Sequence, residues 1–197
     1  MAAPGDRWHA APMFAQHAFV IVDTETGGLD PQTHSLLSVG LVSGDRRHST
    51  EFFVVEPTLV TDPKSMAVNR LDLAQVKAEG LDPAAACDAI GAFIEATGLA
   101  RPVTLVGHNI AFDLAFLHRL YRLAGRDFGR DFSHRSVDTH SLLWAAMAAG
   151  RLPPGVGGSD AAFAHFGIAP PPEKRHTALG DALATADLLE RLLQTFA

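Results

Sequence analysis

The sequence predicts an α/β protein in which a single mixed β-sheet carries helices on its faces. Short apolar segments rich in β-branched residues alternate with longer segments whose apolar residues recur every three or four positions. Their order is three strands, a helix, a strand, a helix, a strand and then helices, which is typical of this fold class. The 197 residues are 47% apolar and 19% charged, a composition that supports a full hydrophobic core.

The strands are predicted from apolar runs and from the turn residues that bound them. The first run ends at Asp23 and is followed by turn residues around Gly27 and Gly28. Two further runs flank a polar turn, so the first three strands should form an antiparallel meander. A fourth run ends at Gly107, and a short strand ends at Asp138. The five predicted strands cover residues 18–22, 36–43, 51–55, 103–107 and 136–138.

The helices are predicted from capping residues and apolar periodicity. Asp82 followed by Pro83 is typical of a helix start, and Gly98 is typical of a helix end. Asp138 and Ser159 are expected to cap two later helices. One side of the helix after the fourth strand carries four apolar residues: Ile110, Leu114, Leu117 and Tyr121. The predicted helices cover residues 65–78 as one or two short pieces, 83–97, 110–123, 139–149, 159–166 and 178–195.

Composition and charge exclude several classes of protein. The formal net charge of −6 argues against a protein that coats long duplex DNA, but not against an enzyme that grips a few nucleotides. The longest wholly apolar run, residues 142–149, is far shorter than the roughly 20 residues of a membrane-spanning helix, so no membrane contact is expected. Cys87 is the single cysteine, which excludes an internal disulfide and fits a cytoplasmic location. Residues 1–16 lack periodicity and are expected to form a loose tail before a single domain over 17–197.

Four acidic residues fall at the ends of predicted elements, where side chains can converge. Asp23 and Glu25 leave the end of the first strand, and their spacing puts both side chains on one face. Asp113 and Asp181 each lie in the first turn of a predicted helix. Carboxylates packed together repel one another, so such a cluster is tolerable when it holds Mg²⁺ or Mn²⁺, which prefer hard oxygen ligands. Two such ions about 3.5–4 Å apart can stabilise the attacking and leaving oxygens in phosphodiester cleavage.

Three motifs resemble those of the DEDD 3′–5′ exonucleases, a family that includes the proofreading subunit of bacterial DNA polymerase III, ribonuclease T and oligoribonuclease. They are DTETGGL at residues 23–29, GHNIAFD at residues 107–113, and His176 with Asp181. The resemblance spans residues 19–193 and implies a ribonuclease-H-like fold, with a mixed five-stranded sheet and helices on both faces. One branch of the family has Tyr four residues before the last Asp. Because this chain has Thr177 there, it is identified as a member of the histidine branch.

The resemblance also implies a role for each motif residue. Asp23, Glu25 and Asp181 would ligate the catalytic Mg²⁺. Asp23 and Asp113 would hold or position a second ion, and Mn²⁺ is expected to substitute. His176 would be the general base on the attacking water, a task that an imidazole with a reference pKa of about 6.5 suits at neutral pH.

The same motifs are expected to hold the 3′ nucleotide through its backbone and sugar, with weak sequence selectivity. Leu29 would either wedge against a terminal base or pack the loop. The family often has Thr at the position of Gly27, so this loop is expected to gain freedom. His108 and Asn109 would either bind the nucleotide or brace the turn. The candidate substrate-binding residues are Thr26, Gly27, Leu29, His108, Asn109 and Phe112.

A series of arginines offers a second candidate contact to nucleic acid. If the helix from residue 110 continued far enough, these arginines would share one face and could follow a phosphate backbone. The alternative is a solvated face that Asp127 and Asp131 partly neutralise, and we favour this alternative. The series consists of Arg119, Arg122, Arg126 and Arg130, with Arg135 nearby.

The expected function is metal-dependent hydrolysis of the terminal phosphodiester at single-stranded 3′ ends, which releases nucleoside 5′-monophosphates. DNA is the favoured substrate, in repair or proofreading. The alternatives are an exoribonuclease of short RNAs and a non-catalytic polymerase-associated module, although such a module could lose a metal ligand and this chain retains all four. A DNA polymerase subunit is a candidate partner, and a homodimer is a further possibility.

Overall fold

The computed structural model describes residues 19–171 and 175–196, and over these ranges it contains five strands and eight helices. The strands are β1 (Phe19–Thr26), β2 (Leu36–Ser43), β3 (Ser49–Phe53), β4 (Val103–Gly107) and β5 (Phe132–Asp138). The helices are α1 (Pro63–Asn69), α2 (Leu73–Glu79), α3 (Pro83–Thr97), α4 (Ala111–Leu123), α5 (Phe128–Asp131), α6 (Thr139–Ala148), α7 (Ser159–Phe166) and α8 (Ala178–Gln194). No helix in these ranges is both long and apolar enough to cross a membrane.

The sheet has the strand order β3-β2-β1-β4-β5. The first three strands pair antiparallel, as the predicted meander requires, and β1, β4 and β5 run parallel. The predicted mixed five-stranded sheet is therefore confirmed. The parallel strands end at one edge, where Gly107 pairs with Asp138 and β1 continues past its last pairing with β4 at Ile21. Ligand sites in open α/β sheets commonly lie at this edge.

Several boundaries differ from those predicted. The first strand continues through Thr26 because its pairing with β2 extends to Leu36. The last strand begins at Phe132, which pairs with β4 well before the predicted segment. The predicted cap at Ser159 is wrong, because Gly158 takes the capping position and Ser159 is the first helical residue. The tail predicted over residues 1–16 and the first residue of the predicted first strand lie outside the described residues.

The two faces of β1 pack against different helices. Val20 and Val22 point toward the cluster that includes α3 and α4. Phe19 and Ile21 point to the opposite face, where they join apolar residues of α8. Because side chains alternate along a strand, Asp23 and Glu25 continue the face that carries α8. The helices on both faces thus agree with the predicted architecture.

The start of α8 lies directly on the sheet at Gly40. A Cβ atom at this position would come within 2.3 Å of the carbonyl carbon of Ala178 and within 2.4 Å of the amide nitrogen of Leu179. Gly40 is also the cross-strand partner of Asp23. A residue without a side chain is therefore needed at Gly40 for the first turn of α8 to approach the acidic end of β1.

The arginine series does not form one helical face. Helix α4 ends at Leu123, and Arg130 and Arg135 belong to α5 and β5. Arg126 lies between the helices and pairs with Asp88 at 2.8 Å. The helix does not continue far enough for these arginines to share one face, because the chain turns at Gly125 with a left-handed φ of 64°.

Candidate metal and substrate site

Three of the four predicted carboxylates form a compact cluster. Oxygen atoms of Asp23, Glu25 and Asp181 lie within 4.8 Å of one another, and all three residues are half-buried. Asp23 and Glu25 project from the end of β1, and Asp181 projects from the first turn of α8. Thr177 holds this turn by accepting a hydrogen bond from the amide of Gly180 at 3.1 Å.

Asp113 lies next to this cluster but outside its three-oxygen core. Its side chain is 4% exposed and accepts a hydrogen bond from the Thr24 hydroxyl at 2.7 Å. Thr24 lies between the two clustered residues of β1 and points toward the α4 face. The structure thus brings Asp113 close enough for its charge to raise the pKa of both Asp23 and Glu25.

Asp23, Glu25 and Asp113 carry raised pKa values. Burial, followed by the charges of Asp181 and Asp113, raises the pKa of Glu25 to about 8. Burial, followed by the charge of Asp113, raises the pKa of Asp23 well above its ordinary range. Burial raises the pKa of Asp113 to about 7, although the hydrogen bond from Thr24 lowers it.

Arg175 contacts the cluster and was not identified from the sequence. Its guanidinium donates to Asp181 and, at 2.5 Å, to Asp160, and it lies 5.3 Å from the ring centre of Phe163. Its charge lowers the pKa of both Asp23 and Glu25. The only feature of the sequence that could have indicated this contact is the position of Arg175 directly before His176.

His176 lies immediately before the first turn of α8, with a left-handed φ of 61°. Its side chain is half-buried. In the described ranges, no hydrogen bond or ion pair joins the His176 ring to the clustered carboxylates. Its role as general base therefore stays a prediction.

The loop after β1 is braced by its own hydrogen bonds. The Thr26 hydroxyl donates to the carbonyl of Gly28 at 2.8 Å. The amide of Gly27 donates to Ser35 at 2.7 Å, and its carbonyl accepts from the amide of Asp62 at 2.5 Å. A Cβ at Gly27 would lie 2.4 Å from the carbonyl oxygen of Val60. Glycine is therefore needed at this position for close packing against Val60. The gain in conformational freedom that was expected for this loop is not observed, because Gly27 is fixed by two backbone hydrogen bonds.

Leu29 is the exposed large apolar residue of this loop, with 79% of its surface accessible. The neighbouring Gly28 is buried, and a Cβ there would overlap the ring of His34. The loop that follows Glu25 therefore presents a large apolar side chain to solvent. Contact between Leu29 and a terminal base remains a prediction.

The turn between β4 and α4 is held by Asp138. Its carboxylate accepts hydrogen bonds from the amide of Asn109 at 2.7 Å and from the amides of His140 and Ser141 at the start of α6. Asn109 has a left-handed φ of 59°, which this contact stabilises. Asp138 therefore caps α6, as predicted, and also fixes the turn that leads to Asp113.

His108 and Phe112 are partly engaged in internal contacts. The Nδ1 atom of His108 lies 3.0 Å from the hydroxyl of Thr139, and burial lowers the pKa of His108. The ring of Phe112 packs at 5.0 Å from that of Phe116. These contacts support the bracing role for His108, while the exposed side of Asn109 remains accessible to a ligand.

The donor set fits a hard divalent cation. Three carboxylate oxygens converge, and the raised pKa values of Asp23 and Glu25 indicate that the negative charges of these two residues are poorly compensated. A divalent cation at this position would supply the missing positive charge. Asp23, Glu25 and Asp181 are the residues that could hold it, with Asp113 available to a second ion.

The fold and the site together define a class of protein: an α/β protein of ribonuclease-H-like architecture with a carboxylate centre at the carboxyl edge of its parallel strands. An exonuclease family model (RNase_T) matches residues 20–189. The chain belongs to this exonuclease family. The family and the fold class predicted from the three motifs are thereby confirmed.

Two relatives illustrate the similarity in sequence. A DNA polymerase III subunit epsilon-like protein of Rhodobacter capsulatus is 36% identical over 182 residues, which cover 89% of this chain and 23% of the relative. The DNA polymerase III subunit epsilon of Treponema pallidum is 26% identical over 140 residues, covering 68% of this chain and 60% of the relative. The chain thus spans about a quarter of the Rhodobacter protein.

The fold resembles solved exonuclease structures. Escherichia coli exonuclease I in complex with a dT13 oligonucleotide superposes with a TM-score of 0.72 at 16% identity, covering 90% of this chain and 41% of that one. The zinc-bound form of its complex with single-stranded DNA gives a TM-score of 0.73 at 18% identity, with 91% and 41% covered. At this identity the match establishes the fold.

Proposed function

We propose that the chain is a metal-dependent 3′–5′ exonuclease that hydrolyses the terminal phosphodiester of single-stranded nucleic acid, with DNA favoured. The observation that carries this proposal is the convergence of Asp23, Glu25 and Asp181 within 4.8 Å. Family membership supports the same reaction. The exposed Leu29 lies on the loop that follows Glu25, and the exposed Asn109 lies on the turn that leads to Asp113, so both would contact the 3′ nucleotide.

The reaction follows from the chemistry of these groups. Mg²⁺ ions bound by the carboxylates, for which Mn²⁺ would substitute, would stabilise the charge that develops on the attacking and leaving oxygens. His176 takes a proton from the attacking water. The water oxygen forms a bond to phosphorus, and the bond from phosphorus to the 3′ oxygen of the preceding nucleotide breaks. That oxygen leaves with the bonding electrons and takes up a proton, so a nucleoside 5′-monophosphate is released.

The test compares Asp23→Ala with Asp187→Ala on 5′-labelled single-stranded oligonucleotides. Asp187 lies on α8, as Asp181 of the cluster does, but it pairs with Arg46 at 2.6 Å and is outside the cluster. We expect the wild type and the Asp187 variant to give a ladder that shortens from the 3′ end with Mg²⁺ or Mn²⁺ and not with EDTA. Asp23→Ala should remain folded and lose turnover by at least about 10³-fold. Retained activity in Asp23→Ala would remove the proposed site.

The preference for DNA rests on the relatives. Two of them are named as DNA polymerase III subunits or subunit-like proteins, and exonuclease I is seen with a DNA oligonucleotide. Matched DNA and RNA substrates in the same assay give the ratio of rates. A higher rate on RNA would favour turnover of short RNAs, and absence of cleavage with intact Mn²⁺ binding would favour a non-catalytic module.

The relatives' names also support a role beside a DNA polymerase, in proofreading or repair. A cytoplasmic location, where the buried thiol of Cys87 stays reduced, is part of this proposal. Size-exclusion chromatography with and without the polymerase III catalytic subunit of the same organism tests the partner. Light scattering on the chain alone tests the alternative of a homodimer.

A further inference from the structure

We propose that the buried ion pair between Glu56 and Arg119 positions the loop of residues 27–35 against α4, and thereby sets how tightly the 3′ nucleotide binds. This inference rests on the proposed function for the role of the loop. It assigns Arg119 to the interior of the protein, as a positioning residue, and not to the surface that contacts phosphates.

The contacts of Arg119 are extensive and buried. Its Nε lies 2.9 Å from Oε1 of Glu56, and its Nη2 lies 2.7 Å from Oε2. Its Nη1 donates to the carbonyl of Gln32 at 3.0 Å and to that of Pro31 at 3.3 Å. The side chains of Arg119 and Glu56 are only 13% and 1% exposed. The planar guanidinium thus connects α4 to the tip of the loop through several donors at once.

Glu56 extends this connection to the end of the loop. Its Oε1 also accepts a hydrogen bond from the amide of Leu36, the first residue of β2, at 3.1 Å. The pair therefore contacts the loop at its tip and at its end, whereas Gly27 anchors its beginning through Ser35. The exposed Leu29 lies between these anchors.

The other described bonds of the tip are local. The carboxylate of Asp30 accepts from the amide of Gln32 at 2.9 Å and from the hydroxyl of Thr33 at 3.1 Å. These bonds shape the tip but do not connect it to another element. Arg119 supplies the connection to α4, the helix that carries Asp113, so it sets the position of the loop relative to one wall of the site.

The test must remove the pair without leaving a buried charge, because a lone Glu56 carboxylate would destabilise the fold. The double variant Glu56→Gln with Arg119→Met keeps an acceptor for the amide of Leu36 and removes both charges. Arg119→Lys retains the charge but cannot reach both the carboxylate and the two carbonyls. The control is Arg126→Met, which breaks the exposed pair with Asp88 and belongs to the same arginine series.

Steady-state kinetics on a single-stranded DNA oligonucleotide and calorimetric titration with Mn²⁺ distinguish the roles. We expect the double variant to raise KM by about tenfold while kcat stays within about twofold. Arg119→Lys should give a smaller rise, and Mn²⁺ affinity should equal that of the control. An unchanged KM would overturn the inference, and so would a fall in kcat that parallels a loss of Mn²⁺ affinity.

Amide hydrogen exchange over residues 28–34 provides a readout that does not depend on activity. Exchange there should be faster in the double variant than in Arg126→Met. If the wild type cleaves no oligonucleotide, the proposed function fails while this exchange difference still tests the loop. Equal exchange in the two variants would refute the positioning role even in an active enzyme.

Discussion

Replacing Glu25 with Gln should stabilise the metal-free protein, and the gain should grow with pH. The folded protein raises the pKa of Glu25 from 4.5 to about 8, through burial and the charges of Asp181 and Asp113. The folded state therefore binds a proton that the unfolded state has already lost. For a carboxyl group with a raised pKa, the associated stability is complete below about pH 4.5 and is lost as pH rises through about 8. Glutamine cannot ionise, so it avoids this loss.

The magnitude follows from the two pKa values. The difference between 4.5 and about 8, at roughly 1.4 kcal/mol per pH unit, corresponds to an upper bound of about 5 kcal/mol. The neighbouring carboxylates titrate together with Glu25, so the single substitution recovers part of this value. We expect about 2–3 kcal/mol at pH 8.5 and less than about 1 kcal/mol at pH 5. Such a change is a large fraction of the stability of an ordinary domain.

Urea unfolding in EDTA at pH 5, 7 and 8.5 measures this effect. The control is Glu79→Gln, an exposed carboxylate on α2 whose substitution should leave the pH dependence of the wild type unchanged. Saturating Mn²⁺ should flatten the wild-type curve, because the cation compensates the charges that protons otherwise remove. If the wild type and Glu25→Gln lose stability in parallel between pH 5 and 8.5, the reasoning about the cluster is wrong.

Two further substitutions test how the start of α8 is held against the sheet. Gly40→Ala would put a methyl group 2.3 Å from the backbone of Ala178, so we expect a fall in thermal stability and a loss of Mn²⁺ affinity, measured by calorimetry. Arg175→Met removes the cation that contacts Asp181, so the melting temperature in EDTA should fall while Mn²⁺ binds several-fold more tightly. Weaker Mn²⁺ binding by this variant would instead mean that Arg175 holds Asp181 in place for the metal.

Much of the fold was predictable because its signals are local. The eight residues of β2 were predicted with their observed bounds, since an apolar run lies between polar turns. Helix α3 begins after Asp82, which accepts a hydrogen bond from Ala85, and ends at Gly98, as the capping residues indicated. The acidic residues were found by their positions at element ends. In each case a few neighbouring residues contain the whole signal.

The features that the sequence did not predict depend on contacts between distant segments. Arg119 looked like one member of a surface series, because nothing near it in the chain indicates the buried Glu56. Gly40 lies within an apolar strand, and its importance depends on a helix near the other end of the chain. Arg175 has no periodic or capping signal. Spacing and propensity carry no information about which distant side chain fills a given space.

Several contacts that hold the acidic site do not depend on a bound ion. Asp113 is fixed by the hydroxyl of Thr24, and a hydroxyl can donate to an ionised carboxylate whether or not a cation is nearby. Asp181 is fixed by α8, which rests on Gly40 and is capped by Thr177. The ladder of β1 and β2 fixes the backbone of the two remaining carboxylates. The free energy of folding therefore offsets the repulsion between these carboxylates. As a result, the ligands are already oriented when a divalent ion binds.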